Sequence, residues 1–201
     1  MRARPAAPHS RFPGLRPEVV QGYLDAPDGV VVEVLDGELV TLPRPRRQHA
    51  LASSRLGRRL GPFSDPLGDE PGGWLILDEP ELHLGSGPDI VAPDLAGWRR
   101  ARIPTDFLEE GAPAHIELVP DWVCEVLSAR TEAADRGKKM RIYRREGVGH
   151  VWLLSPELKT LEVYRLERAR YSLLDTFEGS EPARAEPFEE LPLALDALWR
   201  L

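Results

Sequence analysis

A single cysteine, Cys124, occurs among the 201 residues of this chain. One cysteine excludes an intramolecular disulfide and any cysteine-based zinc site built within one chain. Cys124 itself sits in an apolar run and reads as a small buried residue. No apolar stretch approaches the roughly 18 residues of a membrane span, and Met1–Ser10 lacks the apolar centre of a secretory signal. The expected location is therefore the cytoplasm, with no membrane partner. Positive charge is also in short supply, since 26 Lys and Arg face 33 Asp and Glu, for a net charge of −7. That balance excludes the broadly basic surface that supplies most non-specific affinity for nucleic acid. It leaves room for a local cluster such as Arg44, Arg46 and Arg47, which is either a solvated loop or a phosphate contact. Also missing are a Gly-rich phosphate loop ending in Lys-Ser or Lys-Thr and a Gly-x-Ser-x-Gly elbow, so kinase and serine-hydrolase chemistry is unsupported. His83, His115 and His150 are scattered without close ligand spacing, which argues against a histidine zinc site.

What is present is enough for one core, with 42% hydrophobic residues over a single-domain length. Residues 1–14 hold several prolines and little periodicity and read as a flexible N-terminal arm, leaving 15–201 as one domain. A short helix is expected over Leu15–Leu24. Strands Val30–Leu35 and Glu38–Leu42 follow around the hairpin signal Asp36-Gly37. Gln48–Leu60 has helical spacing and is stopped by Gly61-Pro62, after which 63–73 reads as a long loop. Trp74–Asp78, Glu81–Leu84, Asp89–Ala96 and Trp122–Leu127 read as strands, and Thr131–Glu146 as a helix with Thr131 at the N-cap and Gly147 as its stop. Strands resume at His150–Leu154, Leu161–Leu166 and Tyr171–Leu174. The tryptophans 74, 98, 122 and 152 are expected in the core or an interface.

Two carboxylates stand out in this pattern, Asp94 in Ala92-Pro93-Asp94-Leu95-Ala96 and Glu125 in Val123-Cys124-Glu125-Val126-Leu127. A carboxylate in an apolar strand is costly unless it is paired or holds a metal. Glu125 and Leu127 share a strand face, so a cation beside Glu125 must come from another element, and the helix that follows is the nearest source. On its wheel Ala133, Met140 and Tyr143 form an apolar stripe, with Lys138 nearly opposite and Lys139 at the border beside Tyr143. Lys139 can therefore run along apolar surface to a cleft at the sheet edge. The alternative is an exposed Asp135–Lys139 pair one helical turn apart. Two strand carboxylates followed by a lysine are the parts of a metal-dependent nuclease.

The order and spacing of several short motifs extend this reading. They are Leu35-Asp36-Gly37-Glu38-Leu39-Val40, His49 opening a helix, Ala92-Pro93-Asp94-Leu95 and Glu125-Val126-Leu127-Ser128, then Asp135-Arg136-Gly137-Lys138-Lys139, Tyr143, Gly147-Val148 and Val151-Trp152-Leu153-Leu154. Together they resemble the Uma-type family of restriction-endonuclease-like proteins, a bacterial branch of the PD-(D/E)XK nuclease superfamily. The resemblance implies an α/β (α+β) fold with a central mixed sheet flanked by helices and an N-terminal β-hairpin. It implies Asp94 and Glu125 as ligands of Mg²⁺ or Mn²⁺, helped by the backbone carbonyl of Val126, and Lys139 as a catalytic lysine displaced onto the helix. The superfamily's ordinary lysine place is occupied by Leu127, and the position before the displaced lysine, often acidic, is Lys138. The resemblance also places the hairpin near the site, where Glu38 is either a further ligand or organiser or an exposed strand carboxylate. His49 is either a phosphate contact and proton carrier or a helix-terminal histidine with a local hydrogen bond. The implied activity is hydrolysis of nucleic acid, with DNA the expected substrate and a homodimer expected by analogy with nucleases that cut both strands. The alternatives are a module that keeps the fold to bind nucleic acid or protein without cleavage, and a hydrolase of another phosphoester.

Overall fold

The computed structural model describes residues 12–27, 29–42, 44–65, 71–180 and 182–200. Helix α1 (Pro17–Leu24) begins with its proline at the first helical position, where a missing N–H removes no helix bond. The expected hairpin follows as β1 (Val32–Leu35) and β2 (Glu38–Thr41). Asp36 and Gly37 lie between them at φ 53° and 74°, the left-handed pair that a tight turn between twisted strands requires. After α2 (Arg47–Arg59) the chain does not leave helical structure at Gly61-Pro62 as expected. Pro62 instead occupies the start of a further turn, α3 (Gly61–Ser64), which buries Phe63. Residues 66–70 of the expected loop lie outside the described residues.

β3 (Trp74–Asp78) and β4 (Leu82–Leu84) match expectation. The strand expected over 89–96 is two strands, β5 (Asp89–Val91) and β6 (Leu95–Arg99), which join different sheets. Pro93, lacking an N–H to donate to a ladder, marks the break and leaves Asp94 in the corner between them. Beyond β7 (Trp122–Val126) the expected long helix is a composite of α4 (Glu132–Ala134), a π-helical turn Asp135–Lys139 and α5 (Met140–Glu146). Thr131 takes the N-cap place, but its hydroxyl meets Ser128 Oγ at 3.0 Å rather than a helix N–H. Gly147, at φ 86°, closes the helix in the left-handed conformation that a side chain would strain. The chain ends through β8 (His150–Ser155), β9 (Thr160–Glu167), β10 (Arg170–Glu178), β11 (Pro182–Ala183), β12 (Leu193–Ala194) and α6 (Asp196–Trp199).

The central sheet has the order β10-β9-β8-β7-β6-β3, antiparallel throughout except for the parallel pair β7 and β8. This is the mixed sheet flanked by helices. A second sheet, β2-β1-β5-β4, carries the hairpin. Strand alternation divides the core: Trp122, Cys124 and Val126 of β7 pack on one face with α2, α3, Trp152 and Phe188, while Val123 and Leu127 pack on the other beneath Ile142 and Tyr143. Phe188 stacks within 4.8–5.5 Å of Phe63, Trp74, Trp122 and Trp152, so the C-terminal segment seals that first face. All four expected core tryptophans are at most 2% exposed. Residues 1–11 of the expected arm lie outside the described residues; Phe12, assigned to that arm, is instead buried against Tyr23 and His83. Among the described residues no helix is long and apolar enough to cross a membrane.

Candidate active site

Glu125 belongs to the face of β7 that looks toward the composite helix, so alternation in an otherwise apolar strand buries a carboxylate under Lys139 and Tyr143. Its Oε2 accepts from Lys139 Nζ at 3.2 Å and its Oε1 from the Tyr143 hydroxyl at 2.5 Å. The π-helical turn contributes to this geometry. Its wider winding turns both Asp135 and Lys139 inward, where they are 3.7 Å apart and nearly solvent-free. The Asp135–Lys139 pair is present, but buried beside the cleft rather than exposed as in the alternative reading.

Asp94 reaches the same place from the corner after Pro93. Its Oδ2 accepts the Val126 N–H at 2.7 Å, and its Oδ1 is 3.1 Å from Nε2 of His49 at the start of α2. Burial pulls the His49 imidazole down, but the hydrogen bond and charge of Asp94 outweigh it, so its pKa stands above the ordinary value. In place of the local hydrogen bond of the alternative reading, the helix-terminal histidine reaches across the fold to the candidate metal ligand. His49 Nδ1 is buried without a partner.

Two acidic residues of the cluster are absent from the sequence-based site, Asp135, read there only as an exposed helix pair with Lys139, and Glu33. Glu33 of β1 is fully buried, and its Oε1 lies 2.8 Å from Lys139 Nζ while also accepting the Ala92 N–H at 2.8 Å. Its Oε2 is buried with no partner. The signal that singles out Glu125, a carboxylate inside an apolar strand, is equally present in Val31-Val32-Glu33-Val34-Leu35. Glu38 is different. At the start of β2, it is 65% exposed and pairs with Lys138 at 2.5 Å, the arrangement of the exposed strand carboxylate among its two readings. Lys138 is accordingly engaged at the surface.

Four carboxylates, Glu33, Asp94, Glu125 and Asp135, thus converge on one lysine and one histidine. Burial raises the Asp135 carboxyl to about 6 despite the opposing charge of Lys139. Burial likewise pushes Glu125 well above the usual carboxylate range, with Lys139 opposing and Asp135, Asp94 and Glu33 adding to the rise. For Lys139, burial acts downward but is overcome by the charges of Glu125, Glu33 and Asp135, so the ammonium is retained. Asp94, Glu125, Asp135, Lys139 and His49 line a cleft of about 600 Å³ together with Arg44, Arg46 and Arg130, while Glu33 is fully buried behind them. Arg44 and Arg46 belong to the arginine cluster read in the sequence, which therefore borders the site.

The donor set is of the oxygen-rich kind that a hard divalent cation takes, although no three of these side chains bring ligand atoms within 4.8 Å of one another. Its negative groups exceed its cations, and the unpartnered Oε2 of Glu33 is an acceptor with no proton donor to satisfy it.

Comparison with known proteins agrees with this architecture. The fold matches a crystal structure described as a "putative nuclease belonging to DUF820" from Anabaena variabilis ATCC 29413, with a TM-score of 0.69 and 23% identity, over 89% of this chain and 96% of the other. The model of the Uma2 family, described as "Putative restriction endonuclease", matches residues 20–196. The chain belongs to the Uma2 family. No curated protein matches it.

Proposed function

We propose that this protein is a divalent-metal-dependent nuclease, with DNA as its substrate. The observation that carries the reading is the excess of buried carboxylate over cation around Lys139, with one Glu33 oxygen left unpaired. Asp94 and Glu125, with the Val126 carbonyl, would hold Mg²⁺ or Mn²⁺, with Glu33 behind them against Lys139. The ion supplies Lewis-acid polarisation of a phosphate and a water of lowered pKa.

The chain's own groups supply the rest. Val126 N–H fixes one Asp94 oxygen and leaves the other to His49 and the cleft. Tyr143 holds one Glu125 oxygen and so sets the rotamer of that carboxylate. Lys139 opposes the upward push of burial on the Glu125 and Asp135 carboxyls and can balance charge when a phosphate arrives. His49, raised in pKa and edging the cleft, can hold a proton for a phosphate oxygen or a leaving group. Arg44, Arg46 and Arg130 supply local positive charge for the backbone of a nucleic acid in a chain whose overall charge is negative. Two symmetric copies would bring two such clefts to the two strands of a duplex, and sedimentation of the purified protein tests for that homodimer.

A second reading is favoured by the burial of Lys139, whose side chain is 3% exposed and already paired with three carboxylates. In that reading the lysine is structural and the domain binds nucleic acid without cutting it. Incubation with supercoiled plasmid, single-stranded DNA and RNA separates the two, with Mg²⁺, Mn²⁺ or EDTA. Metal-dependent cleavage supports the nuclease; retained binding without cleavage in any metal supports the binding module.

A further inference from the structure

We propose that Glu81, His83 and His115 form a second metal site, distinct from the carboxylate cluster and suited to a borderline transition ion such as Zn²⁺ or Co²⁺. The sequence argues against a histidine site because these residues are far apart, but the fold brings them together. Their ligand atoms all lie within 4.8 Å of one another. Backbone bonds hold the two segments in register: His83 N–H donates to Ile116 O at 2.9 Å, and Ile116 N–H to Glu81 O at 2.8 Å. Leu82 and Ile116 thereby form an isolated parallel bridge.

The donor chemistry differs from that of the Asp94 cleft. Two imidazoles and one carboxylate are a recurrent zinc set, with a fourth position left for water, whereas an all-oxygen cluster suits Mg²⁺ or Mn²⁺. His83 is nearly buried, and its Nε2 already faces Glu81 Oε1 at 2.8 Å, so that edge of the ring points at the carboxylate. Phe12 and Tyr23 pack about His83 and fix its position. His115 stacks on His83 at 4.0 Å with planes 10° apart. Parallel rings do not aim their lone pairs at one point, and a tetrahedral ion needs its ligands about 3.3 Å apart. Closure therefore requires the His115 ring to rotate. At 31% side-chain exposure, and held on its outer side only by exposed Glu117 at 3.5 Å, it has room to do so. A bound ion would tie the irregular stretch between the Arg100–Arg102 turn and β7 to β4, at the rim of the cleft that Glu81 also lines.

The test uses full-length protein stripped with chelator, in the Asp94→Asn/Glu125→Gln background so that the carboxylate cluster does not contribute. Zn²⁺ is titrated by calorimetry, and Co²⁺ by its visible absorption. The expected result is one equivalent of Zn²⁺, a Co²⁺ spectrum of nitrogen ligation, and slower proteolysis within 103–121 once metal is added. His115→Ala, a partly exposed position that the fold tolerates, should lose all three, as should Glu81→Gln. Absence of the equivalent, or its persistence in His115→Ala, overturns the proposal and leaves the three side chains as an ion-paired cluster.

Discussion

The ammonium of Lys139 lies 2.8 Å from Glu33 Oε1, with both side chains withdrawn from solvent. This pair joins the hairpin sheet to the helix that covers the central sheet, at the point where Asp94 and Glu125 also meet. Glu33, Glu125 and Asp135 share the same lysine, so removing either partner of this pair has a different outcome.

Glu33→Gln removes one negative charge from a cluster that has too many. Metal affinity and any metal-dependent cleavage should fall about 10–100-fold. Stability to urea at neutral pH should hold or rise, because Lys139 keeps Glu125 and Asp135 as partners. Metal titration and a urea curve on the same sample separate the two effects.

Lys139→Met strands three buried carboxylates without their cation. Breaking a buried pair in this way costs about 3–5 kcal/mol. The loss should be greatest above neutral pH and partly recovered by Mg²⁺ or by mild acid, either of which removes the uncompensated charge. Urea denaturation at two pH values, with and without the ion, provides the check.

In chelator, the wild-type protein should lose stability as pH rises from about 4 to 7. Asp135 has a folded pKa of about 6 against 3.8 for the free group. Between those values the folded state holds a proton that the unfolded state releases, so stability falls through the window by about 3 kcal/mol at most. Glu125, raised by burial, acts in the same direction. His49 does as well, since its raised pKa gives stability that is present below its unfolded value and lost as pH climbs through the folded one. A divalent ion should flatten the slope, and Asp135→Asn should reduce it. Thermal melts across this range in EDTA and in Mg²⁺ measure both.

Glu38→Ala removes only an exposed pair with Lys138. The urea midpoint should not move measurably, because a surface pair is worth little, and metal affinity should not change. Loss of metal binding would return Glu38 to the site.

The parts of this molecule legible in its sequence are those set by local pattern. Asp36-Gly37 fixes the hairpin turn by its backbone preference, Gly147 ends the helix, and the apolar neighbours of Glu125 mark its burial. Lys139 is recoverable from helical phase, although the π turn that aims it leaves no trace in a 3.6-residue period. Glu33 carries the same apolar-strand signal as Glu125, but the second sheet that covers its face, and so its place beside Lys139, is not written in that local pattern. Asp94 is placed by its sequence near the end of one strand, whereas Pro93 divides that apparent strand between two sheets and puts Asp94 in the corner. The meeting of His83 with His115 depends on one bridge across a long connection, which no local rule anticipates. The C-terminal segment lacks periodicity, yet Phe188 completes the tryptophan cluster.

The most direct measurement is cleavage of supercoiled plasmid at low salt by wild type and by Asp94→Asn, in Mg²⁺, Mn²⁺ and EDTA, with circular dichroism to confirm that both are folded. The account predicts nicking or linearisation by wild type that requires the ion, and none by the folded Asp94→Asn protein. Equal behaviour of the two proteins, with or without metal, would contradict it.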